Sequence, residues 1–337
     1  MSWDSSVRTA HSCAANESLT GTDVAGGIVR KSWFKRLWNR FRPSDKLTLA
    51  YTLASALPLI VYVPRTCKNT PPRIPKSWLV AAHLLGLGGM LTLLPLTANS
   101  RSRPVVFARH WYPALVVPLL FKELFYLVPA VNPNNVDRTL LAWERALLGV
   151  QPTLWLEKHM TPLLTDVLSL AYAAYYLLPT LPAATLYWRG QHKEFDRFVF
   201  LLLLNFYTAF SIYFVMPAVG PKVTLKRFYK KKFGDGTAFS RYVERVVDYV
   251  ETEQRDCFPS LHTQIATVVA LYMIGQQDPR LPMVLPLSMA MILSTVYCRY
   301  HYVPDLIAGI IVAASTLKMY RQLHGATDGQ PESGAGA

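Results

Sequence analysis

Residues 259–320 read PSLHTQIATVVALYMIGQQDPRLPMVLPLSMAMILSTVYCRYHYVPDLIAGIIVAASTLKMY. Three apolar runs follow one another here, at 259–277, 281–299 and 302–321, and each is close to the roughly 20 residues that a bilayer core requires. The last two runs are almost continuous, so residues 299–302 must form a tight turn between them. This stretch predicts three consecutive membrane-spanning helices.

The rest of the chain repeats this pattern. The 337 residues are 51% hydrophobic with a mean hydropathy of +0.19, which is too apolar for an ordinary soluble domain. Five further apolar runs are predicted to span the membrane, at 45–63, 77–97, 111–131, 164–188 and 198–217. The sequence therefore predicts an all-α polytopic membrane helix bundle of about eight spans, with six or seven as alternatives, and a catalytic core in the C-terminal spans.

Polar segments divide the chain between these runs. Residues 1–30 and 322–337 have the composition of disordered tails, and no cleavable signal peptide is evident. Residues 31–44 place tryptophans and phenylalanines at helical spacing among basic residues, which is typical of a helix in the membrane interface. The segment 132–163 is too polar to cross and predicts a second interfacial or re-entrant element. The remaining predicted units are the N-terminal spans, 45–131, and the catalytic membrane core, 164–321.

The net charge is +14, which in a soluble protein would favour nucleic-acid binding. Here the basic residues flank apolar runs and therefore favour membrane lipids and phosphate-bearing substrates, with no nucleic acid. Nine of the 35 lie in the loop 218–258: Lys222, Lys226, Arg227, Lys230, Lys231, Lys232, Arg241, Arg245 and Arg255. If these nine residues serve a substrate site, they do not report the orientation of the chain in the membrane. The orientation then follows from the basic N-terminal segment, which predicts that both termini are cytoplasmic. With eight spans, the site then faces the periplasm, the cell exterior or an organelle lumen.

Two short motifs lie at the edges of apolar runs. Pro259-Ser260-Leu261-His262 precedes one run, and His301 to Asp305 begins the last. His301 and Asp305 are four residues apart and share one helix face, where a carboxylate can hold one imidazole nitrogen protonated and leave the other free to attack. We expect His301 to be the nucleophile, oriented by Asp305, and His262 to protonate the leaving alcohol and later activate the acceptor.

Phosphoryl transfer also requires groups that bind the phosphoryl oxygens. The candidates are Lys222, Arg299 and the hydroxyl of Ser260. The four cysteines show neither metal-ligand spacing nor a disulfide framework, so Cys257 and Cys298 are either ordinary buried thiols or neighbours of the site.

Several polar residues inside the apolar runs leave alternatives open. Lys122 and Glu123 could form structural ion pairs or line a substrate cavity. Four residues of the 164–188 run could bind a polar headgroup, although tyrosines are also common in an interfacial belt. These are Asp166, Tyr172, Tyr175 and Tyr176.

The motifs resemble those of the type-2 phosphatidic acid phosphatase superfamily, whose second motif is Pro-Ser-x-His and whose third ends in His-x-x-x-Asp. Within it, Met216 to Lys222, Phe258 to Thr263 and the Asn132 to Pro162 segment are most similar to the branch of inositol phosphorylceramide synthases and related bacterial membrane proteins. The resemblance covers about residues 110–320.

Two positions depart from the common family pattern. Ser294-Thr295 stands where the third motif usually has Ser-Arg, and the first motif, Lys-x6-Arg-Pro, is absent. Arg299 is the expected replacement for the missing arginine, and Lys222 replaces the first motif by position only.

The resemblance implies a metal-independent, histidine-dependent membrane enzyme without a cofactor. We expect it to move a phosphoryl-bearing headgroup from a phospholipid donor to a lipid alcohol through a phosphohistidine. The alternative is hydrolysis by water of a phosphatidic acid- or polyprenyl phosphate-type substrate. A non-catalytic lipid-binding or transport protein is a more remote alternative, because such a protein has no need of His262, His301 and Asp305 together.

Overall fold

A computed structural model describes residues 35–66, 76–231, 237–250 and 255–328. Within these ranges the chain contains fourteen α-helices from Pro43 onward, a short helical stretch at 35–38, two short 3-10 turns and no strand. The prediction of an all-α bundle is therefore confirmed.

The helices begin and end as follows. They are α1 Pro43–Thr66, α2 Lys76–Leu96, α3 Arg103–Trp111, α4 Pro113–Val131, α5 Asp137–Leu148, α6 Pro152–Glu157, α7 Pro162–Ala173, α8 Thr180–Trp188, α9 His192–Val215, α10 Pro221–Thr224, α11 Ala238–Val250, α12 Leu261–Gly275, α13 Leu281–Tyr297 and α14 Val303–Asp328. Each of the eight predicted spans contains a helix or a pair of helices, and the predicted turn at 299–302 connects α13 to α14.

Helix lengths set how many of these elements can cross a bilayer. In the described ranges, four are long and apolar enough: Ser77–Leu96, Arg103–Val131, His192–Val215 and Val303–Leu323. The pair α7 and α8, bent by 46° at residues 177–179, would make a fifth. The apolar helices α12 and α13 have only 15 and 17 residues, about 23 and 26 Å, so they fall short of a 30 Å hydrocarbon core. By length and composition, therefore, four or five elements of the described chain can cross the bilayer, fewer than the eight spans predicted.

Several predicted segments reach the edges of the described ranges. Of the predicted interfacial helix at 31–44, residues 31–34 lie outside them, residues 35–38 are helical, and α1 already begins at Pro43. The predicted tail at 1–30 also lies outside. At the other end, α14 continues to Asp328, beyond the predicted start of the C-terminal tail at 322.

Glu123 forms a buried ion pair between helices. The Nδ1 atom of His83 on α2 lies 2.9 Å from the Glu123 carboxylate on α4, and Nε2 lies 3.0 Å from the Thr52 carbonyl oxygen on α1. A carbonyl only accepts, so Nε2 carries a proton, and a second proton lies between Nδ1 and the carboxylate. The pair is therefore neutral overall. Its two hydrogen bonds connect α2 to α4 and to α1. Of the two alternatives for these positions, Glu123 takes the structural one, whereas Lys122 lines a cavity.

The two histidine motifs meet where α12 crosses α14. A Cβ atom at Gly309 would lie 2.7 Å from the Ser260 carbonyl oxygen and 3.2 Å from the Thr263 Cβ. The missing side chain therefore permits this close approach, which brings the start of α12 against the first turns of α14. The Ser260 amide also donates to the Asp305 carbonyl at 3.1 Å.

We predict that Gly309→Ala destabilises the protein by about 1–3 kcal/mol, because the added methyl overpacks the α12–α14 crossing. Gly88→Ala on α2 is the matched control, since a Cβ there meets nothing within 4 Å and alanine favours a helix by about 1 kcal/mol. Thermal unfolding of both variants in detergent checks this. A melting temperature for Gly309→Ala equal to that of Gly88→Ala would contradict the packing argument.

Candidate active site

Three chain segments converge beside the start of α14: the loop 216–222, the segment 257–262 and the turn 299–305. Three backbone hydrogen bonds join them: Lys222 N to Arg299 O (2.7 Å), Cys257 N to Ala218 O (3.1 Å) and Ser260 N to Asp305 O (3.1 Å). The residues predicted as catalytic are therefore positioned by main-chain contacts between distant parts of the sequence.

Gly220 allows the first segment to approach the third. Its φ is +85°, and a Cβ atom there would lie 2.5 Å from the Tyr300 carbonyl oxygen. Only glycine combines this backbone conformation with this proximity. Arg299 also has a left-handed conformation, with φ +67°, and this turns the chain sharply between α13 and α14.

His301 is held by two acceptors. Its Nδ1 lies 2.8 Å from the carbonyl oxygen of Cys257 and 3.5 Å from Oδ2 of Asp305. Because a carbonyl only accepts, Nδ1 carries the proton, and the lone pair of the neutral ring is on Nε2. The sequence predicted Asp305 as the orienting group. The shorter contact is to the Cys257 carbonyl, and Asp305 is the second partner.

Asp305 also organises the surrounding turn. It is fully buried, and its Oδ2 accepts hydrogen bonds from the Tyr302 amide at 2.8 Å and from the Cys257 thiol at 2.9 Å. Within the described residues its Oδ1 has no hydrogen-bond partner. Cys257 is thus a neighbour of the site, and burial, together with Asp305, raises the pKa of its thiol well above the usual range.

His262 lies in the first turn of α12, close to His301. The two ring centroids are 6.0 Å apart, near enough to act on one bound phosphoryl group. Tyr172 and Tyr175 pack against the His262 ring, each with a centroid distance of 4.2 Å, and Tyr172 also stacks on Tyr300. Tyr172 and Tyr175 therefore adjoin the candidate site, which favours the headgroup alternative over an interfacial belt, and Tyr176 lines the same cavity as Lys122. Asp166 instead accepts hydrogen bonds from Thr237 and Ser240 at the start of α11.

A single cavity of about 1270 Å³ contains both histidines in its wall. The end that contains the histidines is strongly charged, and the rest of the wall is mainly apolar apart from Lys122 on α4. The charged side chains at the histidine end are Lys222, Lys226, Lys230, Lys231, Arg299, Glu244, Asp248 and Asp256.

The predicted phosphate-binding residues have different environments. Lys222 lines the cavity, and its Nζ lies 2.7 Å from Asp248 and 3.0 Å from Glu244, both on α11. Ser260 is fully buried at the N-terminus of α12, where its hydroxyl accepts the Thr263 amide at 3.3 Å. The structure thus gives Ser260 a helix-capping position instead of a place on the cavity wall.

Arg299 lines the cavity but already has an acidic partner. Its guanidinium lies 3.1 Å from Glu157 and 3.9 Å from the Tyr229 ring centroid. Burial lowers the pKa of this guanidinium, and Tyr229 and Glu157 oppose the shift. An arginine remains charged under such conditions, so Arg299 can still contact an anion that reaches this wall.

Three buried carboxylates that sequence reasoning missed position these segments. Asp137 accepts the amides of Val219 and Gly220 at 3.0 and 2.9 Å. Glu144 accepts the amide of Val303 at 2.9 Å, and burial raises the pKa of Glu144 to about 7.

The third carboxylate, Glu157, accepts the amides of Lys230 and Lys231, both at 2.8 Å. All three lie in the segment 132–163, which the sequence predicted as interfacial or re-entrant because of its charges. The available signal was the spacing of Asp137, Leu140 and Glu144, which share the buried face of α5.

One further property of the site concerns metal ions. Histidine, cysteine, aspartate and glutamate side chains can bind a metal ion when three of them lie close together. In the described part of the chain one such group occurs, Cys257, His301 and Asp305, whose ligand atoms all lie within 4.8 Å of one another. The sequence predicted no metal, because histidine and cations can stabilise the developing charge, the family resemblance implies a metal-independent enzyme, and the four cysteines show no metal-ligand spacing.

Comparison with known proteins agrees with the geometry. A family model described as the PAP2 superfamily matches residues 138–319, slightly more than half of the chain. The protein is a multi-pass membrane enzyme of the lipid phosphatase and phosphotransferase class. It belongs to the PAP2 superfamily, as its motifs predicted. No curated protein and no solved structure gives a significant match.

We predict that His301→Ala and His262→Ala each reduce turnover by at least about ten-fold without unfolding the protein, and that Asp305→Asn reduces it by about 10². The exposed His159, which lies outside the cavity wall, provides the matched control His159→Ala. Initial rates of purified, folded variants check this. Retention of more than about a tenth of the activity by either histidine variant would contradict the two-histidine mechanism.

Proposed function

We propose that the enzyme transfers a phosphoryl-bearing headgroup from a phospholipid to a lipid alcohol. His301 Nε2 attacks phosphorus, and the bond from phosphorus to the donor's glycerol oxygen breaks while His262 protonates that oxygen. The diacylglycerol leaves, and the headgroup phosphoryl remains on His301. His262 then removes the proton of the acceptor hydroxyl, which attacks phosphorus and releases His301. Lys222 and Arg299 are the proposed contacts for the phosphoryl oxygens, and no cofactor enters these steps.

The size of the cavity is the observation that most favours a lipid substrate. Its volume of about 1270 Å³ exceeds the roughly 300–1,000 Å³ typical of a site for a drug-sized molecule, so it has room for a lipid and not only for a headgroup. Hydrolysis then needs only a path for water, whereas transfer needs the hydroxyl of a second lipid to reach the histidines. The similarity to the inositol phosphorylceramide synthase-like branch supports transfer.

The apolar end of the cavity is suited to a lipid chain. Its wall follows α9, with Phe195, Val199, Leu202, Leu203, Phe206 and Phe210 facing the space. Phe195 and Phe210 are fifteen residues apart, which corresponds to about 22 Å along the helix. We propose that one chain of a substrate lies in this arm, with Trp111 and His110 at its far end.

Hydrolysis is the second candidate function, because it uses the same two histidines. The charged side chains at the histidine end would favour entry of water, which could attack the phosphohistidine in place of a lipid alcohol. A phosphatidic acid- or polyprenyl phosphate-type substrate would then release inorganic phosphate.

We also propose that the site faces away from the cytoplasm. Four of the nine basic residues in the loop 218–258 line the cavity: Lys222, Lys226, Lys230 and Lys231. We attribute their charge to substrate binding and not to membrane orientation. The basic N-terminal segment then determines the orientation and is expected to face the cytoplasm.

We predict that purified enzyme, given a phospholipid donor together with ceramide or diacylglycerol, forms a new headgroup lipid faster than free phosphate or phosphoalcohol. Mass spectrometry of the lipid and aqueous phases measures both products from one reaction, with His301→Ala as the control for background exchange. Hydrolysis products alone, across donors that carry choline, inositol or ethanolamine, would overturn transfer and leave the histidine mechanism in place.

We predict that Val199→Trp lowers kcat/KM by at least about ten-fold for a dipalmitoyl donor, because the indole fills the arm beside α9. A dioctanoyl donor should be affected less, since its chains need not pass the block. Val215→Trp is the matched control, because Val215 lies on the same helix, is 71% exposed and is outside the cavity wall. Equal losses for both donors would contradict the assignment of the arm to a lipid chain.

A further inference from the structure

Three potential metal ligands surround one point beside the histidine end of the cavity. The distances are 2.9 Å from Cys257 Sγ to Asp305 Oδ2, 3.6 Å from Sγ to His301 Nδ1 and 3.5 Å from Nδ1 to Oδ2. All three residues are buried, and Asp305 Oδ1 has no partner among the described residues. Cys257 and His301 also line the cavity, so an ion in the cavity can reach them.

These distances are close to those of a tetrahedral zinc site. With bonds of about 2.0–2.1 Å to nitrogen, 2.0–2.2 Å to oxygen and 2.3 Å to sulfur, tetrahedral angles separate nitrogen from oxygen by about 3.4 Å and sulfur from either by about 3.6 Å. Two of the three observed separations agree within about 0.1 Å. The Sγ–Oδ2 distance would have to increase by about 0.7 Å, so metal binding requires a small rotation of the Cys257 or Asp305 side chain.

We propose that Cys257, His301 and Asp305 bind a thiophilic divalent cation such as Zn²⁺ or Cd²⁺ and that this binding inhibits the enzyme. Thiolate, imidazole and carboxylate form a ligand set that such ions prefer. A fourth position can be filled by water from the cavity. The binding proposal depends only on these three residues, whereas the inhibition rests on the proposed role of His301 as nucleophile.

The inhibition follows from the tautomer of His301. On binding, Cys257 loses its thiol proton to the solvent, and its sulfur bonds to the metal. His301 coordinates through Nδ1, so a neutral ring must carry its proton on Nε2, and the hydrogen bond from Nδ1 to the Cys257 carbonyl breaks. The Nε2 lone pair is then absent, and no phosphohistidine can form.

The surroundings of the site predict which ions can bind. Lys222 and Arg299 line the same cavity, so the long-range field there does not favour cations. Affinity must come from the bonds to sulfur and nitrogen. Mg²⁺ and Ca²⁺ prefer oxygen ligands, and we expect neither to bind or to inhibit at concentrations where Cd²⁺ does both.

Cd²⁺ titration of the full-length protein tests the proposal. The parent protein carries Cys13→Ser and Cys67→Ser, which remove the two thiols outside the described residues, and Cd²⁺ binding is followed by the thiolate-to-metal absorption band. We expect one Cd²⁺ per chain, with loss of activity in proportion to occupancy. Cys257→Ser should abolish the band, and Cys298→Ser, which removes the other buried thiol, should retain it.

The readouts separate binding from catalysis. A band that persists in Cys257→Ser, or disappears in Cys298→Ser, overturns the site. One Cd²⁺ bound without inhibition overturns the inhibitory role and the assignment of His301 as nucleophile. If Cys257→Ser does not fold, alkylation of the parent protein is measured with and without Zn²⁺. Slower alkylation of Cys257, but not of Cys298, in the presence of Zn²⁺ supports the site. Alkylation of Cys257 to the same extent with and without Zn²⁺ overturns it.

Discussion

The hydrogen bond from His301 Nδ1 to the Cys257 carbonyl is the interaction on which the site depends. Because a carbonyl only accepts, this bond fixes the proton on Nδ1 and directs the Nε2 lone pair elsewhere. It also requires the backbone at residue 257 to lie against the start of α14, which in turn places His262 beside His301. The same contact brings the Cys257 thiol to Asp305, so the arrangement that orients the proposed nucleophile also brings together the three proposed metal ligands.

Buried carboxylates hold this arrangement in place. Asp137, Glu144 and Glu157 each accept backbone amides from segments that line or adjoin the site, and Glu157 also pairs with Arg299. A buried charge is costly unless it is hydrogen-bonded, and the amides offset this cost for Asp137 and Glu157. Glu144 is only partly compensated, since its Oε2 has no hydrogen-bond partner among the described residues and burial raises its pKa to about 7. The segment 132–163 thus positions the loops of the candidate site, and the family match, which begins at residue 138, includes most of it.

The cavity joins two environments that a lipid phosphotransfer requires. Charged side chains near the histidines suit a phosphorylated headgroup, and the apolar wall along α9 suits a hydrocarbon chain. His262 lines the same cavity, with Tyr172 and Tyr175 against its ring. An interfacial substrate could therefore react without leaving its apolar surroundings. This division of the cavity links the proposed chemistry to the proposed substrate class.

The sequence alone determined the helical membrane class and the superfamily, and it predicted His262, His301 and Asp305 as the catalytic residues, because hydropathy and short motifs are local properties. It also placed Tyr172 and Tyr175 near a headgroup as one of two alternatives. Only the tertiary structure decided which partner orients His301, that Ser260 caps a helix, and that the acids of 132–163 face inward. Those features arise from contacts between residues far apart in the chain, and a charged residue has the same local pattern whether it faces water or a buried amide.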